Sequence, residues 1–485
     1  MRATFSRIRS VLRRAYDSPV YMFIALSVVF GLSSIITIPV FEKNDESANF
    51  IRAYGISNGE FYVDRGTGYD SDGLRKDNGT RGTVTMPTSY IESRDCLGIG
   101  GSYPWMKGGH EGQNGKPYRD VARVIDCAVS TPLNQGETVR LVGDAAYSPV
   151  SYIPQAIAIL AGKLFDMPII GMSYLVRVLN LALWITLVSF AIKLIPRRKW
   201  ALAFVCLFPS FMFSVAHAAP DATLFGSIAV FIAVIVRSIY LAPQHFNKEN
   251  KRLVVIMLLA ALTMVLAKSS YGVLLLPLLL FYGGLKRYVI AKITAIVLLA
   301  IISFAPINNW SVSGGSMVQV SGAKSVLEFS KTIIVQLIKG ESVSPGMFSG
   351  ALVLPALPQL WVIMLASMIV AFVLLIDYEH RYTRFKLAIK RNEKRVLILS
   401  GLVIACMVFC GALYLLWQQF GFVRPVPLVP GRYFLSILML FAVLPVVGKV
   451  TSSEGYYKRV GVTGLVLLNV IVTALYVYAW HHPVG

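Results

Sequence analysis

Two adjacent carboxylates, Asp45 and Glu46, stand in FEKNDESANFIRAY, residues 41–54, directly after an apolar run of membrane-spanning length. A carboxylate held at such a boundary can act as a general base, a role worth roughly 10² to 10⁴-fold in rate. Acids after a helix end can equally do no more than mark the interface. A further acid, Asp221 in SVAHAAPDATLF, follows Pro220 between two apolar segments. Forcing an acid to the bilayer centre costs about 2.5 to 3.5 kcal/mol, so it faces a cavity or a partner. Pro-Asp is also a good helix start, with Asp serving the free backbone N–H groups.

Cations accompany these acids. Lys268 in VLAKSSYG interrupts an apolar pair of segments, and Arg432 in VPLVPGRYF opens a late one, with Arg424 upstream. Placed against the usual positive-inside trend, they suit an anionic head group; a snorkelling side chain explains one of them. Carboxylates and cations on one face fit transfer of a sugar from a polyprenyl-phosphate donor. Phosphate leaves readily, so one carboxylate that deprotonates the acceptor hydroxyl suffices, and Lys and Arg neutralise the departing phosphate. A second acid orients the first or holds a divalent cation, Mg or Mn, with Asp45 and Asp221 as its candidate ligands. Catalytic candidates are therefore Asp45, Glu46 and Asp221.

Weaker motifs add little. His110-Glu111 lacks the spacing of a helical zinc site, Asn78-Gly79-Thr80 is a formal glycosylation sequon, and His481-His482 reads as an interfacial tail. The chain carries no glycine loop of the nucleotide-binding type.

The elements that must position these residues follow from composition. The chain of 485 residues is 55% hydrophobic and only 15% charged, which points to a polytopic membrane protein rather than several soluble domains. Its 46 Lys and Arg against 25 Asp and Glu give a net charge of +21, yet they cluster in short loops, which reads as topology rather than nucleic-acid binding. The N-terminus is basic and its apolar run from Val20 to Val40 exceeds a signal-peptide core, so it reads as a retained anchor.

About eleven apolar segments suit spanning helices: near residues 20–41, 170–195, 200–218, 222–242, 252–267, 271–285, 288–306, 358–376, 396–417, 432–448 and 459–480. With residues 1–19 cytoplasmic, the strongly basic loops IPRRKW, HFNKENKR, LKRY, HRYTRFKLAIKRNEKR and GKVTSSEGYYKR all fall inside. The apolar stretch 148–168 is read as a helix at the outer interface, since crossing would turn IPRRKW outward. Two outer regions result: residues 42–169, with the acid pair and the interfacial helix, and residues 307–357, with a further amphipathic segment in KSVLEFSKTIIVQLIKG. Residues 170–306 and 358–485 hold the remaining spans. Cys206, Cys406 and Cys410 lie in apolar segments, whereas Cys96 and Cys127 share the first outer region, where they pair if it is oxidising or else stay free thiols.

Four stretches carry a family resemblance: NDESANFIRAYGISNGEFY, YSPVSYIPQAIAILAGKLF followed by LVRVLN, FPSFMFSVAHAAPDATLF, and PGRYFLSILMLFAVLP. They resemble a family of uncharacterised bacterial multi-pass membrane proteins, across most of the chain except an insert at about 62–145. That family looks related to the GT-C glycosyltransferases. The resemblance implies an all-α, GT-C-like bundle and an inverting transferase in the bacterial cytoplasmic (inner) membrane. It implies Asp45 as the catalytic acid with Glu46 beside it, Asp221 as a later acid, and Arg177, Lys268 and Arg432 as donor-phosphate contacts. Asn49 stands where the family often has His, which weakens a metal ligand or second base there; Asn49, Arg52 and Tyr433 complete the substrate-binding candidates. Implied partners are the lipid-phosphate sugar donor, a glycan or lipid-linked acceptor and membrane lipid, without nucleic acid. The competing expectations are a transporter or flippase for lipid-linked glycans, which needs charges along a mid-membrane path, and a non-catalytic subunit of a polysaccharide assembly complex.

Overall fold

The computed structural model describes residues 17–38, 40–41, 46–63, 67–69, 76–77, 82–97, 121–143, 148–240, 248–281, 288–304, 376–377, 435–443, 450–451 and 453–481. The expected spans near 358–376 and 396–417, the outer region 307–357, and the residues Asp45, Arg432 and Tyr433 lie outside them.

Four helices among the described residues contain stretches long and apolar enough to cross a bilayer: Pro19–Thr37, Ile169–Leu194, Asp221–Ser238 and Gly455–Leu475. They belong to α1 (Pro19–Thr37), α6 (Ile169–Leu194), α9 (Asp221–Tyr240) and α13 (Glu454–His481). α1 opens on proline, tolerated in a first turn because that N–H has no helical partner. α1 and α6 meet closely at Gly31, where a Cβ would run into the Leu181 side chain. Around this contact a single apolar core joins α1, α6 and α9 to α10 (Lys248–Ala267) and the shorter helices α7 (Lys199–Cys206), α8 (Pro209–Val215), α11 (Val289–Phe304) and α12 (Leu435–Val443).

The expected span 200–218 is two helices, with α7 and α8 separated at Leu207 and Phe208. The cause is Pro209, which drives the preceding residue to extended backbone; Phe208 has φ −57° and ψ 142°. The expected span 271–285 is a 3₁₀ segment, Ser269–Leu280, with Pro277 inside it, and the proline removes one ladder hydrogen bond.

The region between α1 and α6 is not all helical, which corrects the all-α expectation. It opens with α2 (Glu46–Ser57) and then forms a four-stranded sheet in the order β2-β1-β4-β3. The strands are β1 (Gly68–Tyr69), β2 (Lys76–Asp77), β3 (Thr83–Pro87) and β4 (Thr138–Val142), with β3 antiparallel to β4 from Thr83↔Val142 to Pro87↔Thr138. Both longer strands are rich in Thr and Val, as half-buried strands require. Between them lie α3 (Ser89–Leu97) and α4 (Val121–Ser130), joined by a Cys96–Cys127 disulfide with Cα atoms 5.7 Å apart.

The stretch 148–168 forms a 3₁₀ turn, Pro149–Tyr152, followed by α5 (Ile153–Leu164). At 12 residues α5 rises about 18 Å, well short of a bilayer core. It folds back antiparallel along the first half of α6: a Cβ at Gly162 would lie 2.5 Å from Met172 Cγ, and Gln155 and Asn180 meet at one backbone carbonyl.

Candidate functional site

Glu46 opens α2 and is fully buried, as is Arg177 of α6. The pair is bidentate: Arg177 Nη2 donates to Glu46 Oε2 at 2.7 Å and Nε to Oε1 at 2.8 Å. The remaining arm, Nη1, donates to the carbonyls of Ile38 at 2.6 Å and Ile35 at 3.1 Å, at the end of α1. Glu46 in turn accepts from the Phe41 N–H at 3.1 Å and from the Ala218 N–H at 3.1 Å. One buried ion pair therefore ties four segments together: the α1 end, the α2 start, α6, and the 216–220 loop that leads into Asp221. A buried pair stabilises only with its remaining polar valences met, which the four backbone bonds achieve.

Phe41 sits at φ +67°, a conformation costly for a bulky residue. Its N–H is captured by Glu46, and its ring packs edge-on against Phe50 and Tyr90, each at 5.3 Å between centroids. The turn that delivers the acid-bearing segment is thus held by packing on both sides.

The 149–152 turn forms a second hub. Ser151 Oγ donates to the Ala267 carbonyl at 3.2 Å, and Thr223 Oγ1 donates to the Ser151 carbonyl at 3.2 Å. Tyr152 donates to Asn49 Oδ1 at 2.7 Å, and Gln155 Nε2 to the Ala219 carbonyl at 2.8 Å. Asn180 Nδ2 bonds the carbonyls of His217 and Ala219 at 2.5 and 3.3 Å. Thr223 lies in the first turn after Asp221, and Ala267 immediately precedes Lys268. The turn thereby brings the Asp221 and Lys268 ends of α9 and α10 to the same side as the α2 start. Both Asp221 and Lys268 are partly exposed, in contrast to the buried pair beneath them.

The layer of strands and short helices between α1 and α6 buttresses this arrangement. Arg94 of α3 donates to Ser47 Oγ at 3.1 Å, beside Glu46, and Tyr90 stacks on Phe50 at 6.2 Å. Arg123 of α4 donates from Nε and Nη2 to the Cys96 carbonyl, and Ser93 bonds Thr131 at 2.9 Å. At the far end of α2, Lys163 reaches Ser57 Oγ at 2.6 Å and Asn58 Oδ1 at 2.5 Å, over the Tyr54 ring at 3.8 Å. Burial lowers the Lys163 amine to about 8, with Glu60 pulling the other way, and burial raises the Tyr54 phenol to about 12.

Of the residues named from sequence, the structure gathers Glu46, Asn49, Arg177, Asp221 and Lys268 around the two hubs. Arg52 is buried on another face of α2 and donates to the carbonyls of Glu60 and Phe61 at 2.9 and 2.5 Å, fixing the chain that follows the helix. A ligand phosphate would reach Arg177 only by displacing the Glu46 carboxylate. Sequence reasoning missed Ser151, Tyr152, Gln155, Asn180 and Arg94. Gln155 and Asn180 had a readable signal, a lone amide in an otherwise apolar run; Arg94 had none, because its partner Ser47 is 47 residues away. Among the described residues, no three His, Cys, Asp or Glu side chains are grouped to hold a metal ion.

These features define a mostly helical membrane protein with a polar junction at one end of its bundle. The model of the family described as Predicted membrane protein (DUF2142) matches residues 28–441, and the chain belongs to that family. No curated protein matches the chain. No solved structure matches it either.

Proposed function

We propose that this protein is an inverting glycosyltransferase of GT-C type with about eleven spanning helices. It moves a sugar from a polyprenyl-phosphate carrier to a cell-surface glycan at the outer face of the bacterial inner membrane, with its N-terminus in the cytoplasm. The observation that carries the reading is the Glu46–Arg177 pair, bridged by the Ala218 N–H to the loop before Asp221. It joins the two acid-bearing segments, which sequence alone could only place on one side. The Cys96–Cys127 disulfide supports an oxidising compartment for residues 42–169.

In this reading Glu46 is a positioning residue, since its oxygens are spent on Arg177 and on two backbone N–H groups. Asp45 is the base. The acceptor hydroxyl oxygen attacks the anomeric carbon, its proton passes to the Asp45 carboxylate, and the bond from that carbon to phosphate breaks. The polyprenyl phosphate leaves with the electron pair. Lys268 and Arg432 stabilise the growing phosphate charge. Asp221 orients the base or holds a divalent cation, and Asn49, expected from sequence to bind substrate, is instead buried and accepts from Tyr152, so it holds the start of α2 in place.

The test is release of polyprenyl phosphate from a polyprenyl-phosphate sugar by purified protein in lipid nanodiscs. Asp45→Asn and Asp221→Asn are expected to lower turnover by roughly 10² or more while leaving the unfolding temperature unchanged. Parental activity in both variants would remove the catalytic role. Vesicle-to-vesicle movement of the lipid without cleavage would favour a flippase instead.

A further inference from the structure

We propose that α5 is a re-entrant helix: it dips into the bilayer leaflet on the side of residues 42–169, with lipid hydrocarbon against its exposed apolar stripe. The polar junction at its base then lies below the membrane surface. The inference rests on membership of a membrane protein class and not on the transfer reaction.

The argument is one of register and length. α6 is followed by Arg197, Arg198 and Lys199, which mark its far end as the polar boundary. A hydrocarbon core of about 30 Å, about 20 helical residues counted back from Leu194, ends near residue 174. Asn180 therefore lies about 9 Å inside the boundary. Gly162 packs on Met172 near that boundary, and α5 runs antiparallel from there until Gln155 and Asn180 meet at the Ala219 carbonyl. Ile157 falls level with Arg177, inside the core, whereas Leu164 and Phe165 fall outside it.

Two other helices stop at the same depth. α9 begins at Asp221 beside this junction, and its Arg237 reaches the Leu194 carbonyl at 3.2 Å. Counted back from Arg237 at the level of Leu194, those 16 steps rise about 24 Å, which sets Asp221 inside the far boundary of the core although the whole helix is of spanning length. α10 carries Lys248, Glu249, Lys251 and Arg252 at its start and ends at Ala267, which accepts from Ser151. From Arg252 onward it rises about 22 Å. Both end on the side of the 149–152 turn short of the boundary set by α6, so that turn lies below it. Non-helical backbone at such depth requires internal partners, and the Ser151 and Thr223 bonds supply them.

The lipid-facing flank of this junction is α5. Ile153, Ile157, Leu160 and Leu164 lie at helical spacing, 48%, 53%, 46% and 82% exposed, while the opposite face is buried against α2 and α6. In water such a stripe is costly; against lipid chains it is at home. Lys163, at the shallow end, keeps its amine at the level of the head groups.

The test is depth-dependent quenching in nanodiscs. Cys206, Cys406 and Cys410 are replaced by alanine, the disulfide is kept, and single cysteines at Ile157, Leu164, Val178 and Thr138 carry an environment-sensitive fluorophore. Lipids bear a nitroxide either near the head group or deep in the chain. Position 157 is expected to match position 178 in its deep-to-shallow quenching ratio, position 164 to be quenched mainly by the shallow probe, and position 138 by neither. Equal, shallow-dominated quenching at 157 and 164 would mean a helix lying flat and would overturn the proposal; so would absence of quenching at 157. The unaltered protein provides a second reading, with a diazirine placed deep in the lipid chain. Adducts on residues 153–160 are expected, and adducts on α6 with none on α5 would overturn it.

Discussion

At the scale of single residues, the acid pair divides by burial. Glu46 is enclosed and paired, so its loss should be read first in stability. Glu46→Gln and Arg177→Met each strand a buried partner, and each is expected to lower stability by about 3 to 5 kcal/mol, measured by thermal unfolding in detergent. The double variant is expected to lose less than the sum, because no charge is left behind. Strict additivity would show that the two side chains do not interact. Lys163 makes a different prediction. Its amine is lowered to about 8 when folded and titrates at about 10.5 when unfolded, so between these values the unfolded chain binds the extra proton. Stability contributed at this site therefore rises with pH from about 8 to 10.5, and is flat below and above. The unfolding temperature of the parent minus that of Lys163→Met is expected to climb across that window; a flat difference would show that the amine is not perturbed.

At the scale of elements, the disulfide pair α3–α4 clamps the start of α2 through Arg94 and Tyr90. The bridge closes a sequence separation of 31 residues, worth about 3 to 4 kcal/mol in the chain-entropy model. Cys96→Ser with Cys127→Ser is expected to speed hydrogen exchange in residues 46–57 while leaving α6 and α9 protected. Unchanged exchange in α2 would show that the clamp is not needed. These elements also show what sequence could and could not convey. The long spans α1, α6 and α9 were legible because each is a continuous apolar run, and the acids were legible because charge is rare in such a chain. The sheet was not, since TVTMP and TVRLV are short and pair across 50 intervening residues. The Glu46–Arg177 partnership was hidden for the same reason, its members standing 131 positions apart. The break at Pro209 was readable from proline chemistry, but hydropathy averaged over a window smooths it away. Pairing of Cys96 with Cys127 was left open by composition and settled by the proximity of α3 and α4.

At the scale of the whole molecule, the proposed topology makes a prediction that fails cleanly. Eleven crossings starting from a cytoplasmic N-terminus put the two ends of the chain on opposite sides. The basic clusters argue for that count: in the proposed topology Arg197, Arg198 and Lys199 after α6, Lys251 and Arg252 opening α10, and Lys458 and Arg459 opening α13 all fall on the cytoplasmic side. α5 decides it, because a crossing at residues 148–168 would reverse every loop downstream and place most of the basic clusters outside. Its 12 residues, folded back along α6, are too few to cross, which is why the proposed topology counts no crossing there. With an epitope tag at either end, protease added to bacterial spheroplasts is expected to remove the C-terminal tag and to spare the N-terminal one until the membrane is permeabilised. Sparing of both tags would require an even number of crossings and would overturn the count of eleven.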